Sequence, residues 1–355
     1  MIWNRSEGRT GKQSRGLLPL MALMTLSFAV GCNQPNTNIG ENAEQTTPAQ
    51  QAGLTPANTE RINVVATILP TYLFTRAVAG DAANISILVP PTTDVHDYQS
   101  RPDDVRAIST ADVLVKNGLG LEGFLESTIK NAENANLIKI DASEGIETVG
   151  EISPVDTSVT PHGHSHSHGH SHGHSHAHGH GHGEGNPHVW LDPVLAKQQV
   201  RNIRDGLIAV DPANKAIYEA NAAAYIEQLQ SLHQEFETTL AQTPNCTFIT
   251  FHDAFPYLAQ RYNLTQVAVV QIPEDQLSPA DVQRAVKAVQ KHDAQALFSE
   301  PGVDNRLLTS LAQDLNITVR KLNSLEMSGG ELTPEYYFQV MRNNLQSLKA
   351  GCSGV

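Results

Sequence analysis

Histidine is the residue around which any chemistry in this chain has to be organised. There are 16 histidines, and eleven of them alternate with Gly, Ser and Ala between His162 and His182. Neutral imidazole is the common ligand for Zn²⁺, Cu²⁺ and Ni²⁺. An alternating His-Gly-Ser run is a many-ligand chelator with no fixed coordination. Its internal position and its non-contiguous histidines, separated by a varying Gly, Ser or Ala, set it apart from a purification tag. Three histidines stand alone: His96 in Asp94-Val95-His96-Asp97-Tyr98, His188 in Asn186-Pro187-His188-Val189-Trp190-Leu191-Asp192-Pro193, and His252 before Asp253. Each by itself has an ordinary alternative as a surface or core histidine. Beside a chelating segment, three imidazoles from three loops supply most of a tetrahedral metal site. His233 and His292 fall in helical, charged surroundings and receive no role. Asp97, Asp192, Asp253 and Glu300 are candidates for orienting the imidazoles, with helix capping or surface exposure as the alternative for each. No HExxH motif or CxxC pair is present, and no nucleophile elbow stands between a strand and a helix pattern, so neither a hydrolase nor a thiolate zinc site is indicated.

The elements that must hold these histidines follow an α/β rhythm. Ile62 to Ile68 is a β-branched run that reads as a buried strand, followed by a helical stretch ending at Gly80. Ile85–Val89, Val113–Val115 and Leu137–Ile140 are further strands, and Pro102–Thr110 is a helix with proline in its first turn. His96 lies in the loop after Ile85–Val89. Ser153 to Gly185 interrupts the rhythm with the histidine-rich insertion, which is expected to be disordered. A helix is expected from Pro193 to Ile208, and Asp211 is expected to cap a longer one from Pro212 to about Leu240. The alternation then restarts. Thr247–Phe251 is a strand ending at His252, Val267–Val270 and Ala296–Phe298 follow, then Ile317–Val319 and a closing helix from Thr333 to Leu348. Strands alternating with helices imply parallel sheets. Ligands bind such sheets beyond the carboxyl ends of the strands.

The first residues bear on compartment. Arg5, Arg9, Lys12 and Arg15 precede an uncharged apolar stretch, Gly16–Val30. It is short for a transmembrane helix and suits a signal peptide. Ala29-Val30-Gly31-Cys32 resembles a bacterial lipobox, in which Cys32 would carry the lipid; an ordinary signal peptide cleaved nearby is the alternative. Cys246 and Cys352 remain, and in an exported chain two cysteines suggest one disulfide. At 355 residues the chain exceeds what one compact core usually holds. Its net charge of −13, with no basic stretch, excludes nucleic acid as a partner. The expected organisation is a signal peptide over 1–31, a flexible tether over 32–60, an α/β lobe over 61–211 with the loop at 153–185, a linking helix over 212–242, and a second α/β lobe over 243–355.

Four segments carry a resemblance: TTDVHDYQSRPDDVRAISTADVLVKNGLGLEGF, NPHVWLDP, FITFHDAFPYLAQRYNL and LFSEPGVDNRLLTSLAQDLNI. From Asn63 onward the chain resembles the metal-binding proteins of zinc and manganese ABC importers, and is more similar to the zinc-uptake branch. The resemblance implies two parallel-sheet lobes joined by one rigid helix, with the metal between the lobes. It puts His96, His188 and His252 on the ion and implies that Zn²⁺ is transported cargo passed to a permease in the cytoplasmic membrane. Manganese members tend to have glutamate at the place of His252. Many members have an aspartate as fourth ligand where this chain has Asn323. That position is then open to water, a carboxylate from elsewhere, or a loop histidine. Zinc affinity is expected to fall as pH drops through about 6.5, the reference histidine value. A manganese-binding homologue, a metal-buffering surface adhesin and a zinc hydrolase are the rival functions.

Overall fold

A computed structural model of the protein describes residues 60–149, 185–270, 279–292, 294, 296–301, 309–310, 312–313 and 317–353. All of them lie within one compact unit, Gly53–Val355. The expected signal peptide, the tether with Cys32, and residues 153–184 of the histidine-rich loop lie outside the described residues.

Two sheets are built on one plan. In the first, β1 (Ile62–Ala66), β2 (Ala83–Ile87), β3 (Val113–Lys116) and β4 (Ile138–Asp141) are all parallel, in the order β2-β1-β3-β4. Val64 pairs with Ile85 on one side and Val113 on the other. In the second, β5 (Thr247–His252), β6 (Thr265–Val270), β7 (Ala296–Ser299) and β8 (Thr318–Lys321) run parallel in the order β6-β5-β7-β8. Ile249 pairs with Val267 and Leu297. Side chains alternate between the faces of a strand. Val64 and Ala66 therefore face the central core while Val65 faces an outer cluster with Leu114 and Ile108. Phe248 and Ile249 divide in the same way.

Around the sheets lie α1 (Leu69–Ala79), α2 (Pro102–Ser109), α3 (Leu125–Ala132), α4 (Pro193–Val210), α5 (Lys215–Leu240), α6 (Pro256–Arg261), α7 (Pro279–His292) and α8 (Pro334–Cys352). The patterns above do not assign α3 or α6. Both are short, and Pro256 to Ala259 are buried together, so α6 has no amphipathic period to read. The long helix α5 has 26 residues, a span of about 39 Å. Tyr218, Ala222, Tyr225, Leu229, Leu232, Phe236 and Leu240 form its buried stripe, spaced by threes and fours. That stripe packs into one continuous core with Phe74 and Trp190 of the first lobe and Phe248 and Tyr337 of the second. The lobes thus share apolar packing along a continuous helix. The helix begins later than expected, after a 3₁₀ turn at Pro212–Asn214. Asp211 does not cap it through its side chain; its Oδ2 instead accepts from Asn214 Nδ2 and the Tyr218 hydroxyl, each at 2.7 Å. Cys246, just before β5, is joined by a disulfide to Cys352 at the end of α8.

Candidate metal centre

Strand ends and loop geometry bring four side chains to one point. His252 is the last residue of β5, and Glu300 directly follows β7. His96 lies in the loop after β2, where Asp94 Oδ1 accepts from the His96 N–H at 2.8 Å. His188 precedes a 3₁₀ turn, Val189–Leu191, whose three side chains are fully buried. Asp192 then caps α4 by accepting from Val194 N at 2.8 Å. The burial of Trp190 and this cap fix where His188 leaves the turn.

The fourth member is Glu326, five residues past β8. His96 Nε2 is 2.8 Å from Glu326 Oε1, His188 Nε2 is 3.2 Å from the same oxygen, and His252 Nε2 is 3.5 Å from Oε2. The Nε2 atoms of His188 and His252 are 3.4 Å apart. One ligand atom from each of the four residues lies within 4.8 Å of the others. His188, His252 and Glu326 are buried, and the His96 side chain is 11% exposed.

Glu326 fits one of the alternatives left open at the fourth position, a carboxylate from elsewhere than Asn323. Asn323 organises the loop that carries Glu326. Its Oδ1 accepts from Leu325 N at 2.8 Å, and its backbone is clasped by Asn344 on α8 through two bonds of 2.8 Å. Leu325 is held at φ 64, a left-handed conformation uncommon for leucine. That reversal turns Glu326 toward the histidines. The other lobe holds the loop as well: Trp190 Nε1 donates to Ser324 O at 2.7 Å, and Ser328 N donates to Pro91 O at 2.7 Å. A glutamate three residues after Asn323 was the signal available in the sequence.

Of the four acids expected as outer partners, Glu300 takes that role. Glu300 Oε1 lies 2.5 Å from His252 Nδ1 and orients that ring. Asp192 caps α4 and pairs with Arg261 Nε at 2.8 Å. Asp253 contributes its backbone carbonyl, which accepts from Asn186 Nδ2 at 2.6 Å. Asp97 makes no hydrogen bond to the three imidazoles among the described residues. The partner of His188 is Asn186, whose Oδ1 accepts from the His188 backbone N–H at 3.0 Å and from Nδ1 at 2.9 Å. Because Asn186 Nδ2 donates to a carbonyl, its amide orientation is set. The proton of His188 is therefore on Nδ1, and the Nε2 lone pair faces the cluster. His233 bonds Tyr262 Oη at 3.1 Å, and His292 ends α7; neither joins the cluster.

Charges respond to this crowding. Burial would raise Glu326, but the three imidazoles hold it well below the usual carboxylate range. Burial pulls His188 down to about 4 in spite of Glu326. Burial acts the same way on His252, but Glu300 and then Glu326 outweigh it and lift the ring to about 9. His96 is raised, Glu326 overcoming its burial. Within the cluster one ligand atom, His96 Nε2, is buried and makes no hydrogen bond of good geometry, although it lies 2.8 Å from Glu326 Oε1 as an ion pair. Buried polar atoms are seldom left so. A cation between the nitrogens and the carboxylate satisfies all four groups at once. Three imidazoles and one carboxylate match tetrahedral Zn²⁺. A small pocket between Asp94 and the Glu300, Ser324 and Met327 side reaches Glu326, an acidic approach for a cation.

Known proteins are similar to this chain over most of its length. The family model described as zinc-uptake complex component A, periplasmic, matches residues 64–351. A "high-affinity zinc uptake system protein ZnuA" of Bacillus subtilis (strain 168) is 32% identical over 293 residues, covering 82% of this chain and 87% of that protein. The "zinc-binding lipoprotein AdcA" of Streptococcus pneumoniae (strain ATCC BAA-255 / R6) is 34% identical over 294 residues, 81% of this chain but 55% of that protein. The crystal structure of Zn(II)-bound AdcA from Streptococcus pneumoniae superposes with a TM-score of 0.66 at 31% identity, over 82% of this chain and 57% of that one. The chain thus spans little more than half the length of the AdcA proteins.

Proposed function

This chain belongs to the periplasmic zinc-uptake complex component A family, and we propose on that premise that it captures Zn²⁺ outside the cytoplasmic membrane and delivers it to an ABC permease. His96, His188, His252 and Glu326 are the ligands in this reading. The observation that carries it is the convergence of four ligand atoms within 4.8 Å, three of the four residues buried, around a histidine nitrogen that has no hydrogen bond.

The ligand set explains selectivity. Three nitrogens and one oxygen suit Zn²⁺, whereas Mn²⁺ favours oxygen ligands. One carboxylate leaves the bound ion a net charge of +1. Four protein ligands complete a tetrahedron, whereas catalytic zinc keeps a position open for water; this favours carriage over hydrolysis. His96 and His188 come from the first lobe and His252 and Glu326 from the second, so the ion bridges the two. The names of the ZnuA and AdcA relatives support zinc as the cargo. Lipidation at Cys32 tethers the folded body to the membrane surface, a proposal that the lipoprotein name of AdcA supports. Among the described residues no helix is long and apolar enough to cross a membrane.

Metal analysis and competitive titration test this. Deleting Val159 to Glu184 lowers the number of bound Zn²⁺ ions and leaves one tight site with strong preference over Mn²⁺. Replacing His96, His188 and His252 by alanine abolishes the tight site and leaves weak binding by the histidine-rich segment. Loss of all tight binding on the deletion alone would move the site into that segment and end this reading.

A further inference from the structure

The two ends of the histidine-rich segment meet beside the metal centre. Asn186 N donates to Val149 O at 3.1 Å. The Tyr257 hydroxyl bridges both strands of this stem: it donates to Asn186 O at 2.5 Å and accepts from Val149 N at 3.3 Å. Gly185 has φ +87, and a Cβ there would come within 2.4 Å of Thr148 Cβ. The stem is therefore closed as tightly as a glycine permits. Its last residue, Asn186, also sets the tautomer of His188 and holds the carbonyl of Asp253, next to His252. Any displacement of the stem would reach both histidines within two residues.

Tyr257 belongs to α6 in the second lobe, whereas the stem belongs to the first. Its ring is buried, and its hydroxyl is engaged on both sides. We propose that Tyr257 is a positioning residue that clamps the base of the histidine-rich segment and insulates His188 from it. Metal loading or a change of length in the segment then leaves the geometry of the tight site unchanged. The closure cost of a loop grows only slowly with its length, so a clamped stem tolerates large changes beyond it.

The inference rests on the zinc-binding reading of the centre. The test compares the wild type and Tyr257→Phe, each with the segment intact and with Val159 to Glu184 removed, using zinc competition against a strong chelator. In the wild type the tight-site Kd agrees within about twofold for both lengths. In Tyr257→Phe, which loses both hydrogen bonds of the hydroxyl, the Kd weakens about tenfold with the segment intact, and it differs between the two lengths. Gly185→Ala pries the stem open from the other side, leaves Tyr257 untouched and reproduces that length dependence, should the phenylalanine variant not fold. Unchanged Kd in both variants, or a weakening equal at both lengths, overturns the insulating role. Absence of a tight site in the shortened wild type overturns the zinc reading itself.

Discussion

Replacing Glu300 by glutamine separates two things that its carboxylate does for His252. Glu300 Oε1 is 2.5 Å from Nδ1, and both side chains are buried. Holding the Nδ1 proton makes Nε2 a better donor, and loss of such an outer partner costs about 10–100-fold in metal affinity. The same carboxylate, with Glu326, raises His252 to about 9. At pH 7 the ion-free site therefore carries a proton that zinc must displace. A value of about 9 weakens apparent binding at pH 7 by about 100-fold, or about 2.7 kcal/mol. In Glu300→Gln burial meets less opposition, the imidazole titrates lower, and this penalty shrinks. The two effects oppose each other near neutrality and separate as pH rises. At pH 7 the variant should bind within about tenfold of the wild type; at pH 9, where the proton penalty has fallen to about twofold, it should be about 10–100-fold weaker. This also moves the window of strongest pH dependence above the value of about 6.5 expected from an unperturbed histidine. Calorimetry in two buffers of different ionisation enthalpy counts the protons released. The wild type should release about one more proton per zinc at pH 7 than the variant. Equal proton counts would refute the assignment of that proton to the His252–Glu300 pair, and equal affinity at pH 9 would refute the orienting role.

Asn323→Ala leaves the Leu325 N–H without its acceptor and loosens the turn that presents Glu326, so zinc affinity should fall about tenfold while Asn323→Asp, which keeps the acceptor, stays near wild type; identical affinities for all three proteins would discard the turn argument. Replacing Cys246 and Cys352 by serine opens a loop with a sequence separation of 106, for which chain entropy gives a loss of about 4–5 kcal/mol in urea denaturation; an unchanged midpoint would contradict it. For the ion-free protein in chelator, the raised His252 contributes stability that is complete below about pH 6.5 and is lost as pH rises through about 9. The lowered His188 works the other way, costing stability as pH falls from about 6.5 toward about 4, so each flank should lose up to about 3 kcal/mol. Stability rising steadily from pH 5 to 9 would refute the His252 assignment, and stability unchanged from pH 6.5 down to 4 would refute that of His188.

Much of the architecture was legible because it rests on local pattern. The β-branched runs at Ile62–Ala66 and Thr247–His252, the proline-started helices and the uninterrupted helical stretch before Leu240 each specify their element from neighbours along the chain. The same alternation that buries Phe248 on one face carries His252 to the end of the strand, where parallel sheets place ligands. Metal chemistry was legible from residue type alone, through the alternating tract and the histidine in Asn186-Pro187-His188. What could not be read there depends on contacts between residues far apart in sequence. Glu326 joins the cluster because Asn323 and Asn344 hold Leu325 in a left-handed turn and because Trp190 and Pro91 of the other lobe hold the loop. Asp192 takes its capping alternative because a cap needs a backbone N–H two residues on, and Asn186, to which the sequence assigned no role, partners His188 because the packed turn leaves its side chain within reach. Local sequence states what each loop can offer; only the packing of the two lobes along α5 decides which offered group reaches the ion, because a ligand sphere a few ångströms wide is closed by tertiary contacts and not by the chain between them.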